Sequence, residues 1–203
     1  MKRDILELPL SESFYSIQGE GYNSGKAAYF IRLGGCNVCC SWCDAKETWN
    51  PERSPLVPVE SIVDMAIESG ARSVIITGGE PLLHDLGNLC SLLKSKGFEI
   101  MLETSGSSPL TGTFDWICLS PKQKRAPLES VLNAASELKV VIESVSDFKW
   151  AEECGTKVRE SCMLYLQPEW SKMRDIMPEI VNYVKREPHW RISTQTHKFM
   201  NIP

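Results

Sequence analysis

Apolar and polar positions divide the chain into short apolar runs with helical stretches between them. Seven runs read as strands: AAYFIRL (27–33), SVIIT (73–77), FEIMLE (98–103), DWICL (115–119), LKVVIE (138–143), MLYLQ (163–167) and WRIST (190–194). They are continuous rather than alternating and are bounded by polar, Gly or Pro residues, as strands buried on both faces tend to be. VESIVDMAIESG (59–70) has helical spacing and ends on glycine, and PLLHDLGNLCSLLKSKG (81–97) has proline at its start and glycine at its end. That asymmetry marks helix boundaries. Shorter helices are expected over 127–136, from about Ser146, and from about Ser171 to Arg186.

Strand–helix alternation implies parallel pairing through right-handed crossovers. The alternation is incomplete, because SGSSPLTGT (105–113) cannot form a crossover helix. The expected fold is therefore α/β: a trimmed, open parallel (β/α) partial barrel, with residues 1–203 as one domain. Small or polar groups follow each strand: GGC, TGGE, ETSG, SPK, ES, QP and QTHK in order. In parallel α/β barrels that rim is where sites are built.

The 203 residues are 42% hydrophobic with a formal net charge of −4, which suits a globular core and argues against a nucleic-acid partner. MKRDILELPL is interrupted by Glu7 and Pro9 and does not read as a signal peptide. No stretch approaches the length of a membrane span, so a cytoplasmic chain with no membrane partner is expected. In a reducing compartment, clustered cysteines point to metal or redox chemistry rather than disulfides. Of the eight cysteines, Cys90, Cys118, Cys154 and Cys162 stand alone among apolar neighbours and read as buried small residues. The other four crowd into CNVCCSWCD (36–44).

Taken in pairs, this loop reads as two abutting C-x2-C units, the ligand type of a zinc site. Zinc ribbons separate their pairs, however, and with Cys39 and Cys40 adjacent, one tetrahedral ion would strain the chain. Taken in threes, Cys36, Cys40 and Cys43 would leave one iron of a 4Fe–4S cube without a protein ligand. The spacing C-x3-C-x-aromatic-C, with Trp42 before the last cysteine, resembles the radical S-adenosylmethionine (SAM) superfamily. So does Gly78-Gly79-Glu80 after the second strand. The resemblance implies that Cys36, Cys40 and Cys43 hold the cluster, that SAM chelates the open iron, and that Cys39 is a bystander.

SIQGEG (16–21), RLGGC (32–36), Cys43-Asp44, TW (48–49), TGGEP, ETSG, LSPK, YLQP and QTHK together resemble the 7-carboxy-7-deazaguanine synthase family, over essentially the whole chain. That resemblance implies conversion of 6-carboxy-5,6,7,8-tetrahydropterin to 7-carboxy-7-deazaguanine with loss of ammonia. It further implies SAM as cofactor, magnesium, a homodimer and a flavodoxin- or ferredoxin-type electron donor. Carried over by position, Glu20 would accept from the pterin N–H groups, with Gln18, Gly19 and Thr77 beside it. Arg32 would hold the substrate carboxylate. His197 and the carboxylate of Pro203 would close the pocket. For SAM the matching positions are Trp42, Thr77, the Gly78-Gly79-Glu80 backbone, Ser105, Ser120 and Gln167. Asp44 would contact SAM or a helix terminus, and Lys122 would reach SAM or cap a loop. One position departs from the family: Ala45 stands where it commonly has a hydroxyl that ligates magnesium, which puts the side-chain ligand in doubt.

Overall fold

The computed structural model describes residues 6–203, so the first half of MKRDILELPL lies outside it. Nine strands form one sheet: β1 (Glu7–Ile17), β2 (Ala27–Leu33), β3 (Leu56–Pro58), β4 (Ser73–Gly78), β5 (Glu99–Thr104), β6 (Trp116–Leu119), β7 (Glu137–Ile142), β8 (Met163–Pro168) and β9 (Trp190–Ile192). The strand order is β3-β1-β2-β4-β5-β6-β7-β8-β9. From β2 to β9 every neighbouring pair is parallel, whereas β1 lies antiparallel between β2 and β3. The sheet is open, as expected.

Six α-helices accompany it: α1 (Val59–Glu68), α2 (Gly87–Ser95), α3 (Glu129–Ala134), α4 (Asp147–Gly155), α5 (Met173–Arg186) and α6 (Thr196–Met200). The seven expected strands are present to within a residue or two. The helix expected over 81–97 is not continuous. Pro81–Leu83 form a single 3-10 turn capped by the Glu80 carboxylate, which accepts from the Leu82 N–H at 3.0 Å. His84 is extended, so the chain restarts as α2 only at Gly87.

Side chains alternate across a strand, and this sheet uses its two faces differently. One face carries Ile31, Leu33, Val74, Ile76, Ile100, Leu102, Leu138 and Val140 into the main core, against Ile62 and Val63 of α1 and Leu89 and Leu93 of α2. Each such fully buried side chain contributes roughly 1.5–3 kcal/mol of transfer free energy. The other face is apolar only at its base, where Ala28, Ile75 and Met101 pack with Phe30 and Trp116. Towards the C-terminal ends of the strands the same face turns polar, with Arg32, Thr77, Glu103, Lys139 and Gln167 lining a cavity.

Candidate active site

The cavity has a volume of about 280 Å³, and Cys36, Cys40 and Cys43 form part of its wall. Cys39 does not line it. Its backbone is left-handed (φ 52°), and its thiol turns to the Cys36 carbonyl at 3.5 Å. The Val38 and Cys39 N–H groups point at the Cys36 sulfur, both at 3.5 Å, and the Ala45 N–H at the Cys43 sulfur at 3.4 Å. Hydrogen bonds to the ligand sulfurs are among the means by which a protein tunes an iron–sulfur cluster. Outside the loop, Lys124 and Arg125 donate to the Cys39 and Asn37 carbonyls at 3.3 and 3.2 Å. Among the described residues no three His, Cys, Asp or Glu side chains gather closely enough to hold a single metal ion. Three thiols on the wall of a wide cavity fit a cluster instead.

The tip of β4 meets this loop through Gly78 and Gly79. A Cβ on Gly78 (φ 157°) would lie 2.2 Å from the Leu33 carbonyl oxygen, and one on Gly79 would lie 2.4 Å from that of Gly35. Only glycine permits that approach. Both glycines line the cavity, and so do Trp42, Thr77, Ser105, Ser120, Lys122 and Gln167. Glu80 does not. Its carboxylate is buried and accepts from Thr104 Oγ1 at 2.6 Å, from the Ser105 N–H at 2.8 Å, from the Ser105 hydroxyl, and from Leu82. The side chain therefore braces the tips of β4 and β5 against each other. Lys122 donates to the Ser120 carbonyl and hydroxyl at 2.6 and 2.7 Å and lies 5.5 Å from the Trp42 ring centre. It thus holds a loop while facing the cavity.

Elsewhere on the cavity lining, Glu20 is held by Lys139 Nζ at 2.5 Å and by Gln195 Nε2 at 2.8 Å. Lys139, itself buried, also donates to Glu103 at 3.1 Å. Gln18 donates to the other Glu103 oxygen at 3.0 Å and accepts from the Glu20 N–H at 3.1 Å. Burial alone would raise the Glu20 carboxyl, but the Lys139 charge and hydrogen bonds from Lys139, Gln195 and Gln167 outweigh it and bring it down to about 2. Burial would likewise lower Lys139. Cys118 and the carboxylates of Glu103, Glu20 and Glu137 reverse this and raise it well above an ordinary lysine. The result is one ammonium that bridges two carboxyl groups, with Glu20 held ionised. Glu103 and Lys139 were not anticipated from the sequence. The available signal was a charge at the end of FEIMLE and another inside LKVVIE, since a charge in a buried strand needs a partner.

Arg32 lines the cavity but also pairs through Nε with Glu12 on β1 at 2.6 Å. That bond engages Nε and leaves the two terminal nitrogens of its fork outside the ion pair. His197 stands over Gly19, where a Cβ would come within 2.2 Å of Nδ1. Burial is the main cause that lowers its basicity. Pro203 lines the cavity, and one oxygen of its carboxylate accepts from the Ser16 hydroxyl at 3.0 Å. Asp44 lines it too, 3.4 Å from Lys198. Ala45 is buried and lines the wall. The nearby Thr48 hydroxyl donates to the Ala45 carbonyl at 2.7 Å and does not face the cavity. Every residue expected at the site therefore meets in one cavity, except Glu80.

The description Radical SAM superfamily matches residues 30–119. A 7-carboxy-7-deazaguanine synthase of Flavobacterium psychrophilum is 50% identical, covering 97% of this chain and 93% of that one. One from a Synechocystis species is 47% identical (96% and 93% covered), and one from Escherichia coli is 35% identical (97% and 100% covered). The crystal structure of QueE from Escherichia coli superposes with a TM-score of 0.84 at 32% identity, covering 93% of this chain and 94% of that one. Likeness of this extent, on a cavity that gathers the expected thiols, glycines and carboxylate, makes the chain a member of the 7-carboxy-7-deazaguanine synthase family of radical SAM enzymes.

Proposed function

We infer that the protein is a radical SAM lyase that converts 6-carboxy-5,6,7,8-tetrahydropterin to 7-carboxy-7-deazaguanine, a step in the biosynthesis of queuosine and related 7-deazapurines. The observation that carries this reading is one cavity lined both by the thiols of Cys36, Cys40 and Cys43 and by the Glu20–Lys139–Glu103 network. Cys36, Cys40 and Cys43 would hold a 4Fe–4S cluster and the Trp42, Gly78 and Gly79 side of the cavity SAM, which together would supply an electron and a hydrogen-abstracting group. The residues of this chain do the rest.

Glu20, ionised at neutral pH, accepts from the amino and ring N–H groups of the pterin, and Gln18 and Gly19 shape that edge. Lys139 keeps Glu20 charged and holds Glu20 and Glu103 in place, so no reorganisation is needed when substrate arrives. The Arg32 fork takes the substrate carboxylate, a planar match that lysine could not make. His197, neutral at pH 7, closes the pocket with Pro203. The reaction splits substrate into product and ammonia without net oxidation, so SAM can be regenerated as a cofactor. A magnesium ion near Ala45 would draw its shell mainly from substrate oxygens and water, which that ion readily keeps. A homodimer, a flavodoxin- or ferredoxin-type donor and a cytoplasmic location complete the proposal; no helix among the described residues is long and apolar enough to cross a membrane.

The test is anaerobic. Cluster-reconstituted protein with SAM, dithionite and carboxytetrahydropterin should yield 7-carboxy-7-deazaguanine by mass and one ammonia per product. Cleavage of SAM with no pterin-derived product would overturn the reading.

A further inference from the structure

The last helix, α6, is five residues long and buries none of them. A helix so short has little stability of its own, so its position depends on what holds it. The Thr196 N–H and hydroxyl both donate to the Gly19 carbonyl at 2.9 Å. Thr196 Oγ1 also lies 3.3 Å from the Ser24 hydroxyl, and Lys198 makes further attachments. Its ammonium donates to Gln195 Oε1 at 3.0 Å, lies 3.4 Å from Asp44, and sits 4.7 Å from the Trp170 ring centre. Phe199 packs edge-on against the same Trp170, 5.5 Å between ring centres.

These contacts form a continuous path. Asp44 directly follows the cluster cysteine Cys43, Lys198 holds Asp44 and Gln195, and Gln195 donates through its amide nitrogen to Glu20 at 2.8 Å. We propose that Lys198 is a positioning residue that couples the cluster side of the cavity to its substrate side. The proposal rests on the function inferred above. Filling the cluster side orders the loop that carries Asp44. A fixed Asp44 holds Lys198, which keeps Gln195 aimed at Glu20 and His197 over Gly19. The Lys198 side chain is 22% exposed and that of Asp44 65%. An ion pair so exposed is weak, but coupling of about five-fold needs only a weak one. The thermodynamics are reciprocal: substrate should tighten SAM binding by the same factor.

Two measurements on cluster-loaded protein test this, in wild type, Lys198→Met and Lys198→Arg. The first is hydrogen exchange of the peptide spanning 195–203 with and without SAM. SAM should slow exchange in wild type and Lys198→Arg but not in Lys198→Met. The second is calorimetric affinity for carboxytetrahydropterin, which SAM should improve about five-fold or more in wild type. That gain should vanish in Lys198→Met, with the cluster spectrum and SAM affinity unaltered in the absence of pterin. Retention by Lys198→Met of both the SAM-dependent protection and the affinity gain overturns the coupling. The exchange measurement contains no pterin. If wild type is protected by SAM yet binds no pterin, the assigned substrate is wrong while the coupling between loop and helix stands.

Discussion

Cys39 lies between Cys36 and Cys40, two of the three thiols proposed to hold the cluster, yet does not line the cavity. Its φ is positive, and Cys40 directly after it does line the cavity. Cys39→Ser should retain near-stoichiometric iron and sulfide after reconstitution, while serine at Cys36, Cys40 or Cys43 should lose the intact cluster. Iron analysis with the visible spectrum decides it, and an iron-free Cys39→Ser protein would mean a different ligand triplet. His197 gives a pH prediction. Burial holds it below 6.5, so it is neutral at pH 7 and gains a proton only as the pH falls further. The Glu20–Lys139 pair does not titrate in the neutral range, because one partner is lowered and the other raised. We therefore expect kcat/KM to be flat through neutrality and to drop on an acid limb below pH 6.5. That limb should disappear in His197→Gln, measured over the pH range where the cluster stays intact. Cys36, Cys40, Cys43, Glu20 and His197 were legible because each lies in a short motif whose spacing carries meaning. Glu103 and Lys139 were not, because their roles arise from contact between strands distant in sequence.

At the scale of elements, continuous apolar runs located the parallel strands well, since strands buried on both faces read the same in any register. β1 escaped because it is only partly covered: ELPLSESFYSI mixes exposed and buried positions without a clean period, and a bulge between Leu10 and Glu12 shifts its register. The stretch 81–97 misled for a different reason. Its helical spacing is real, but Glu80 spends its carboxylate capping the first turn and tying β4 to β5, which sets the turn apart from α2. Removing that carboxylate leaves the Thr104 hydroxyl and the Leu82 and Ser105 amides without their acceptor, at about 1–3 kcal/mol for a buried group. Glu80→Ala should lower Tm by about 2–4 °C for each kcal/mol lost and weaken SAM binding several-fold, while iron content is unchanged. Loss of the cluster together with SAM binding would instead place Glu80 at the cluster itself.

Across the whole molecule, the open α/β sheet was legible from the order of elements, and its polar rim from the residues that end each strand. The antiparallel cover formed by β1 and β3 was not. A tag appended after Pro203 would begin at the cavity lining, beside Ser16 and His197. Such a tag should raise KM for the pterin or abolish turnover, with the cluster spectrum and SAM affinity intact. A tag at the other end should be harmless by comparison, and equal activity of the two forms would remove Pro203 from the site.

The cavity wall is also divided along the chain. Its cysteines, Gly78-Gly79, Ser105, Ser120 and Lys122 fall within residues 36–122, whereas Gln18, Glu20, Gln195, His197 and Pro203 come from the flanks on either side. On the roles proposed above, the cluster and most SAM contacts are thus written in one stretch and most substrate contacts in the other, with Gln167 and Thr77 as the exceptions. Exchange of the two flanks between relatives could change which molecule is rearranged while leaving the generator untouched, and the crossing points would be the Glu103–Lys139 contact and the Gln18–Glu103 hydrogen bond, where the two stretches are sewn together. A chimaera that respected both seams should still cleave SAM, and it should follow its flanks in the substrate it accepts.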